Sequence, residues 1–238
     1  MSIGRIDVHS HLLPGVDDGS DSIEESIACA RELVEAGYTH SFCTPHVWVG
    51  RPDQTFEMVR QWTGALQQRL ADAGVPLTLM PGGEINLYPG LIDTLGPERV
   101  ATYNALGRYC LVDMWADKLP DFFEPTIRFF QAKGLTVILA HPERMRAVQD
   151  EPGLADRFAK MGILLQGNLQ CLDDKPHAHT RKVAEKYLTE GRYFLLGSDL
   201  HKLNTLPTRL AGLRNAIELV GEDVVNRLTI ENPRKLFQ

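Results

Sequence analysis

The chain has 238 residues, of which 43% are hydrophobic and 24% charged, and its 31 acids against 25 bases give a net charge of −6. These values suit a soluble globular fold with a large core and exclude disordered and fibrous classes. The acidic balance offers no basic face for nucleic acid, and the longest apolar stretches, such as Thr136–Ala140 and Gly162–Leu165, are far too short for membrane insertion.

Arg5–His9 reads as a strand. Ser22 and Glu25 have capping-box spacing and start a helix with Ile23, Ile27, Ala30 and Val34 on one face and Gly37 as its stop. Thr39–Thr44 is a second strand. Asp53–Leu70 is a helix with Phe56, Val59, Trp62, Leu66 and Leu70 as its stripe, closed by Gly74. Leu77–Pro81 and Tyr109–Met114 are strands, and a helix follows over about Asp121–Lys133. Leu135–Ala140 is a strand, after which a helix begins near Pro142. Gly162–Gln166 is a strand, Thr180–Glu190 a helix and Tyr193–Leu196 a strand. Leu206–Val220 and Glu222–Thr229 are the last long helices, and Asn232-Pro233 starts a further one. Four widely spaced cysteines, Cys29, Cys43, Cys110 and Cys171, lie among apolar residues without CxxC spacing. They read as reduced core residues of a cytoplasmic protein, as does an opening segment without the apolar core of a signal peptide.

Strand then helix, about seven times over with near-continuously apolar strands, predicts a parallel sheet covered on both faces. A doubly wound sheet and a (βα) barrel both satisfy that pattern. The polar residues favour the barrel. His9, His11, His46, His141 and His201 stand at or just past strand ends, and so do Asp18, Glu84, Asp113 and Asp199. In a barrel such ends converge on one face, whereas an open sheet spreads them along a line. Each has an ordinary reading alone: His46 as a turn residue, Glu84 as a loop acid after Gly82-Gly83, Asp199 and His201 as helix caps. Asp113 fits such a reading least, because a carboxylate within the apolar run Leu111–Met114 needs a partner. His40, His177 and His179 read as solvated or capping residues. Trp48 and Trp115 line a pocket mouth or pack against it, with equal weight on each.

Nine such ligands exceed the needs of one ion and imply two or three divalent metals. Five imidazoles, four carboxylates and no thiolate suit manganese, iron or zinc better than magnesium. Clustered divalent ions suit phosphate-ester hydrolysis.

Ile6-Asp7-Val8-His9-Ser10-His11 with Val16-Asp17-Asp18-Gly19 resembles the opening of the PHP (polymerase and histidinol phosphatase) superfamily. Thr44-Pro45-His46, Gly83-Glu84-Ile85, Ala140–Arg144, Gly197–His201 and Glu231–Lys235 match, in order, its branch of bacterial protein-tyrosine phosphatases that act in capsule and exopolysaccharide control. The resemblance spans essentially the whole chain. It implies a distorted (βα)7 TIM-like barrel forming a single domain over 1–238, with a trinuclear metal site, for which manganese is the first expectation and iron, zinc or magnesium the others. Its ligands would be His9, His11, Asp18, His46, Glu84, Asp113, His141, Asp199 and His201. Glu84 would bridge two ions, Arg144 would bind the substrate phosphate, and Arg144, Glu84 and Asp18 would serve the catalytic step.

Three positions depart from that branch. Asp113 replaces its usual Glu and reaches about one methylene less far. Leu206 stands where a second phosphate-binding Arg is usual, with Arg209 nearby but out of register, and Val47–Arg51 replaces an Arg-rich stretch. The leading expectation is a metal-dependent phosphatase of phosphotyrosyl proteins, its partner a bacterial tyrosine autokinase controlling polysaccharide export. The alternative is a phosphoesterase for a small monoester such as histidinol phosphate or a nucleotide. A metal-holding barrel without turnover does not explain an intact ligand set. A metal-dependent deaminase or amidase on a related barrel often uses a bridging Lys, and a middle strand here offers only Asp113.

Overall fold

Short, fully apolar runs separated by amphipathic segments become parallel strands joined by helices. The computed structural model describes residues 4–51, 54–175 and 178–237. In order, the strands are β1 (Arg5–Ser10), β2 (Tyr38–Cys43), β3 (His46–Val47), β4 (Thr78–Pro81), β5 (Glu84–Asn86), β6 (Tyr109–Asp113), β7 (Thr136–Ala140), β8 (Leu164–Asn168) and β9 (Leu195–Gly197). The main helices are α1 (Ile23–Glu35) and α2 (Phe56–Asp72), a single turn α3 (Leu91–Thr94), and α4 (Phe123–Ala132), α5 (Arg146–Asp150) and α6 (Leu154–Lys160). They continue with α7 (His179–Thr189), α8 (Leu206–Val220) and α9 (Glu222–Asn226). The expected helix over Glu222–Thr229 is α9 passing into a wider π-turn at Arg227–Glu231. The start near Pro142 is a 3-10 turn over Pro142–Arg144, with α5 following it.

All strand pairs are parallel. β1, β2 and β4 form one sheet in that order, and β3, β5, β6, β7, β8 and β9 form the other. The short β3 and β5 escape sequence reading because two or three residues show no period. Each follows a longer strand after two residues, β3 following β2 across Thr44-Pro45 and β5 following β4 across Gly82-Gly83. His46 and Glu84, expected as turn and loop residues if ordinary, are paired strand neighbours. β1 and the end of β9 meet: the His11 amide donates to Leu200 O and the Asp199 amide to His9 O, both at 2.8 Å.

Ser22 caps α1 by accepting from the Glu25 amide at 3.2 Å, as its spacing predicts. Glu25 reaches back to the Asp21 amide at 2.9 Å rather than to that of Ser22, so the box is one residue wider than expected. The buried face of α1 is also rotated from the expected stripe: Ser26, Cys29, Ala30 and Leu33 are buried, while Ile27 and Val34 are partly so. Ser26 can lie inside because its hydroxyl donates to Leu12 O at 2.7 Å. The expected helix start at Asp53 lies outside the described residues, and α2 is capped by Thr55.

Two apolar clusters result. The larger lies between strands and helices and includes the free, buried Cys29, Cys43, Cys110 and Cys171. The smaller is lined by Ile6, Val8, Phe42, Met80, Leu111, Ile138 and Leu195, drawn from six different strands, and Tyr103 fills it. Tyr103 donates its hydroxyl to Val8 O at 2.9 Å. Among the described residues no helix is long and apolar enough to cross a membrane.

Candidate metal centre

Every strand that ends beside the smaller apolar cluster delivers polar side chains past that end. β1 presents His9, and His11 follows it. β3 begins with His46 and β5 with Glu84, β6 ends with Asp113, and His141 and Asp199 follow β7 and β9. His141 and Asp199 adopt the left-handed region, with φ of +30° and +51°. For residues other than glycine such backbone is strained by about 1–2 kcal/mol each. Gly197 lets β9 approach: a Cβ there would meet His9 Cβ at 2.9 Å. Gly19 plays the same part beside His11, whose carbonyl oxygen would lie 2.1 Å from an added Cβ.

The structure brings all nine strand-end residues together. Four groups have ligand atoms within 4.8 Å of one another: His11, Asp18, His46 and His201; His9, His11 and Glu84; His9, His141 and Asp199; and Glu84, Asp113 and His141. Glu84 is central and fully buried. Its Oε2 lies 2.8 Å from His46 Nδ1, 3.3 Å from His9 Nε2 and 3.6 Å from His11 Nε2, and its Oε1 lies 3.0 Å from His141 Nε2. Asp199 Oδ1 lies 3.4 Å from His9 Nε2 and 3.3 Å from His11 Nε2. Asp18 stands at the mouth, its side chain 57% exposed, with Oδ1 3.4 Å from both His46 Nε2 and His201 Nε2. Asp113 hangs back: its Oδ1 is 3.8 Å from His141 Nδ1, the longest of these pairs.

A layer around these residues, to which the sequence reading gave no role, orients them. His9 donates from Nδ1 to Gln166 Oε1 at 2.9 Å, and the Gln166 amide is fixed by its own 2.7 Å bond to Gly167 O. His11 donates from Nδ1 to Asp17 at 2.7 Å, and His201 from Nδ1 to Asp199 O at 3.0 Å. Each bond leaves the Nε2 lone pair facing the centre. Asn168 donates to Asp199 Oδ2 at 2.8 Å and takes its own position from Glu143, which accepts from the Asn168 amide. Asp7 accepts from the Ser198 amide at 2.9 Å and so holds the turn that carries Asp199. Gln166 and Asn168 are polar residues at the end of β8, and strand-end placement was the signal that could have found them.

This donor set fits divalent cations. His9 Nε2 and His11 Nε2 are 3.2 Å apart, both present lone pairs, and both face carboxylate oxygens. Such acceptors crowd together stably only around positive charge. Burial opposes charge on Glu84, yet His9 and the bonds from His141 and His46 hold its carboxyl well below the usual range. Burial likewise opposes charge on His141, yet Glu84 and Asp113 push it up to about 9.

Arg144 donates from Nη1 to Asp199 Oδ2 at 2.8 Å, and its guanidinium carbon lies 4.9 Å from the Trp115 ring centroid. Trp48 stacks on His46 at 4.5 Å between centroids. Leu206 faces inward: it is 2% exposed and part of the main core. Arg209, also buried, donates to Asp199 O at 3.1 Å and to Thr205 O at 3.0 Å. His40 lies within β2 and stacks on Phe237, and His179 opens α7. His177 lies outside the described residues.

Parallel α/β architecture with a buried centre of imidazoles and carboxylates defines a metallohydrolase-like class. Within it, the family model for capsular polysaccharide synthesis, CpsB/CapC, matches residues 5–238, and the chain belongs to that family. The tyrosine-protein phosphatase YwqE of Bacillus subtilis is 30% identical over 204 residues, covering 84% of this chain and 78% of the relative. The tyrosine-protein phosphatase CpsB of Streptococcus agalactiae serotype V is 25% identical, covering 98% of both chains. A solved structure from work on YwqE of B. subtilis and CpsB of Streptococcus pneumoniae, described as metal-dependent tyrosine phosphatases, superposes with a TM-score of 0.85. It is 26% identical and covers 97% of this chain and 93% of that one. The phosphotriesterase homology protein of Escherichia coli shares the fold alone, at 13% identity and a TM-score of 0.63.

Proposed function

We propose that this protein is a metal-dependent phosphatase that removes phosphate from phosphotyrosyl proteins, its natural substrate being a tyrosine autokinase of a polysaccharide-export system. The observation that carries this reading is the convergence of nine imidazole and carboxylate groups, Glu84 among them at the centre, with Arg144 beside them. It joins the names that the family's other members carry.

The metal ligands are assigned as His9, His11, Asp18, His46, Glu84, Asp113, His141, Asp199 and His201, with Glu84 bridging and two or three ions bound, manganese first among them. Bound there, divalent ions supply an activated water and positive charge against the phosphoryl oxygens. Arg144 offers a planar fork to the phosphate, with Asp199 and Trp115 holding its orientation. Asp18, the exposed carboxylate of the set, would orient the attacking water. A phenolic oxygen with an ordinary pKa near 10 leaves with little protonation.

The (βα)7 barrel and single-domain reading is part of the same proposal. Nine strand segments less the two interruptions at Thr44-Pro45 and Gly82-Gly83 give seven strands. The parallel bridge between Ser10 and Leu200 supports closure of the last onto the first, and the apolar cluster drawn from six strands supports an enclosed interior. A cytoplasmic location accords with four buried free thiols.

A kinetic panel of phosphotyrosyl peptide, histidinol phosphate and nucleotides on manganese-loaded protein, with metal analysis, tests the proposal. The expected result is the highest kcat/KM for phosphotyrosyl peptide. A kcat/KM for histidinol phosphate well above it would overturn the substrate assignment.

A further inference from the structure

Trp115 is the most exposed large apolar side chain among the described residues, at 66%. Its place is nevertheless fixed. Met114 before it is buried, Ala116 after it packs against the core, and Ala116 O accepts from the Ala147 amide at 3.2 Å. The ring therefore stands at the rim by construction of its neighbours. One face covers the Arg144 guanidinium, 4.9 Å from centroid to carbon, and the same guanidinium reaches Asp199 in the buried centre. Trp115 also lies two residues past Asp113, the end of β6. Trp48, two residues past His46, is already stacked on that imidazole. Trp115 alone of the two thus combines a held position, contact with the residue assigned to phosphate and broad exposure.

We infer that Trp115 is a specificity-determining residue of this site, packing against the aromatic ring of an aryl phosphate whose phosphate Arg144 holds. The inference rests on the phosphatase reading above. An aryl ring beside the phosphate gains offset or edge contact with the indole, and an alkyl phosphate has no ring to place there. Selection for aryl esters then comes from the rim, and the metal centre below serves any phosphate.

The alternative role for Trp115 is support of Arg144 through the cation–π contact. The two roles separate by probe. Competitive inhibition by inorganic phosphate reads the phosphate-holding groups without any ring, and kcat/KM for a phosphotyrosyl peptide reads both. With manganese-loaded protein, Trp115→Ala is expected to lower kcat/KM for the peptide by about three- to tenfold, the range of an aromatic pair. The phosphate inhibition constant should stay within about twofold of wild type, and Trp115→Phe should restore most of the loss. Equal weakening of peptide turnover and phosphate inhibition would overturn the inference in favour of support for Arg144. Unchanged kinetics would overturn it outright. Absence of phosphotyrosyl turnover in the wild-type protein would instead remove the phosphatase reading and the inference with it.

Discussion

His11 donates its Nδ1 proton to Asp17 at 2.7 Å, and this bond turns the His11 Nε2 lone pair toward Glu84 and Asp199. Asp17 also accepts from the backbone amides of His46 and Gly19, so one carboxylate aligns two candidate ligands and the turn carrying Asp18. Replacing it frees the His11 ring to take the other tautomer. Asp17→Ala should weaken metal affinity by about ten- to a hundredfold, the cost usual for such supporting partners. Calorimetric titration checks this, with much of the lost turnover returning at saturating manganese. Unchanged affinity would show that His11 needs no orienting partner.

Arg144→Lys should lower kcat/KM for phosphotyrosyl peptide by roughly ten- to a hundredfold, because an ammonium cannot reproduce the guanidinium fork. Metal content should not change. Asn168 donates to the same Asp199 oxygen at 2.8 Å, so Asp199 keeps a partner when Arg144 is replaced. Steady-state kinetics with elemental analysis of the purified variant decide the point, and wild-type kinetics would leave the phosphate to the metals alone.

The thiols give a pH prediction. Burial pushes Cys43 and Cys110 up to about 12 from an ordinary value of 9.0, and burial with Glu25 nearby does the same for Cys29. The folded state therefore keeps its thiol protons where the unfolded chain loses them. The stability this provides is complete below pH 9 and declines as pH rises toward 12, by about 1.4 kcal/mol per thiol and pH unit. Thermal melting should show a Tm that falls more steeply with pH above about 9 than below it. Iodoacetamide under native conditions should leave activity intact, since a buried, protonated thiol is a poor nucleophile. Rapid inactivation without unfolding would contradict this.

The departure at Leu206 resolves differently from its reading in sequence. An Arg placed there would enter the core instead of meeting the substrate. Leu206→Arg should therefore lower stability by about 3–5 kcal/mol, as an unpaired buried charge does. Chemical denaturation measures the loss. A stable variant with a lower KM for phosphotyrosyl peptide would restore the original reading.

The nine candidate ligands were legible because a parallel α/β chain puts its functional side chains past strand ends, and the alternation His9-Ser10-His11 aims both imidazoles one way. The strands' apolar runs were legible for the same reason. β3 and β5 were not, since two and three residues carry no period. Nor was the buried face of α1, where the Ser26 hydroxyl finds Leu12 O and so enters the core. Asp17 sat beside the more obvious Asp18 and acts through His11, a relationship that exists only after the turn at Gly19 has folded. Nor was the contact of Arg209 with Asp199 O, because the sequence does not tell which face of α8 turns toward Asp199.

The central claim is that Glu84 holds the metal centre together. Its two oxygens face His46, His9 and His11 on one side and His141 on the other, and the side chain is fully buried. The most direct measurement is metal content and phosphotyrosyl turnover of Glu84→Ala beside wild type, both reconstituted with manganese and freed of excess ion. The account predicts two or three ions in the wild-type protein, with loss of metal and abolished turnover in the variant. Wild-type metal content and turnover in Glu84→Ala would contradict it.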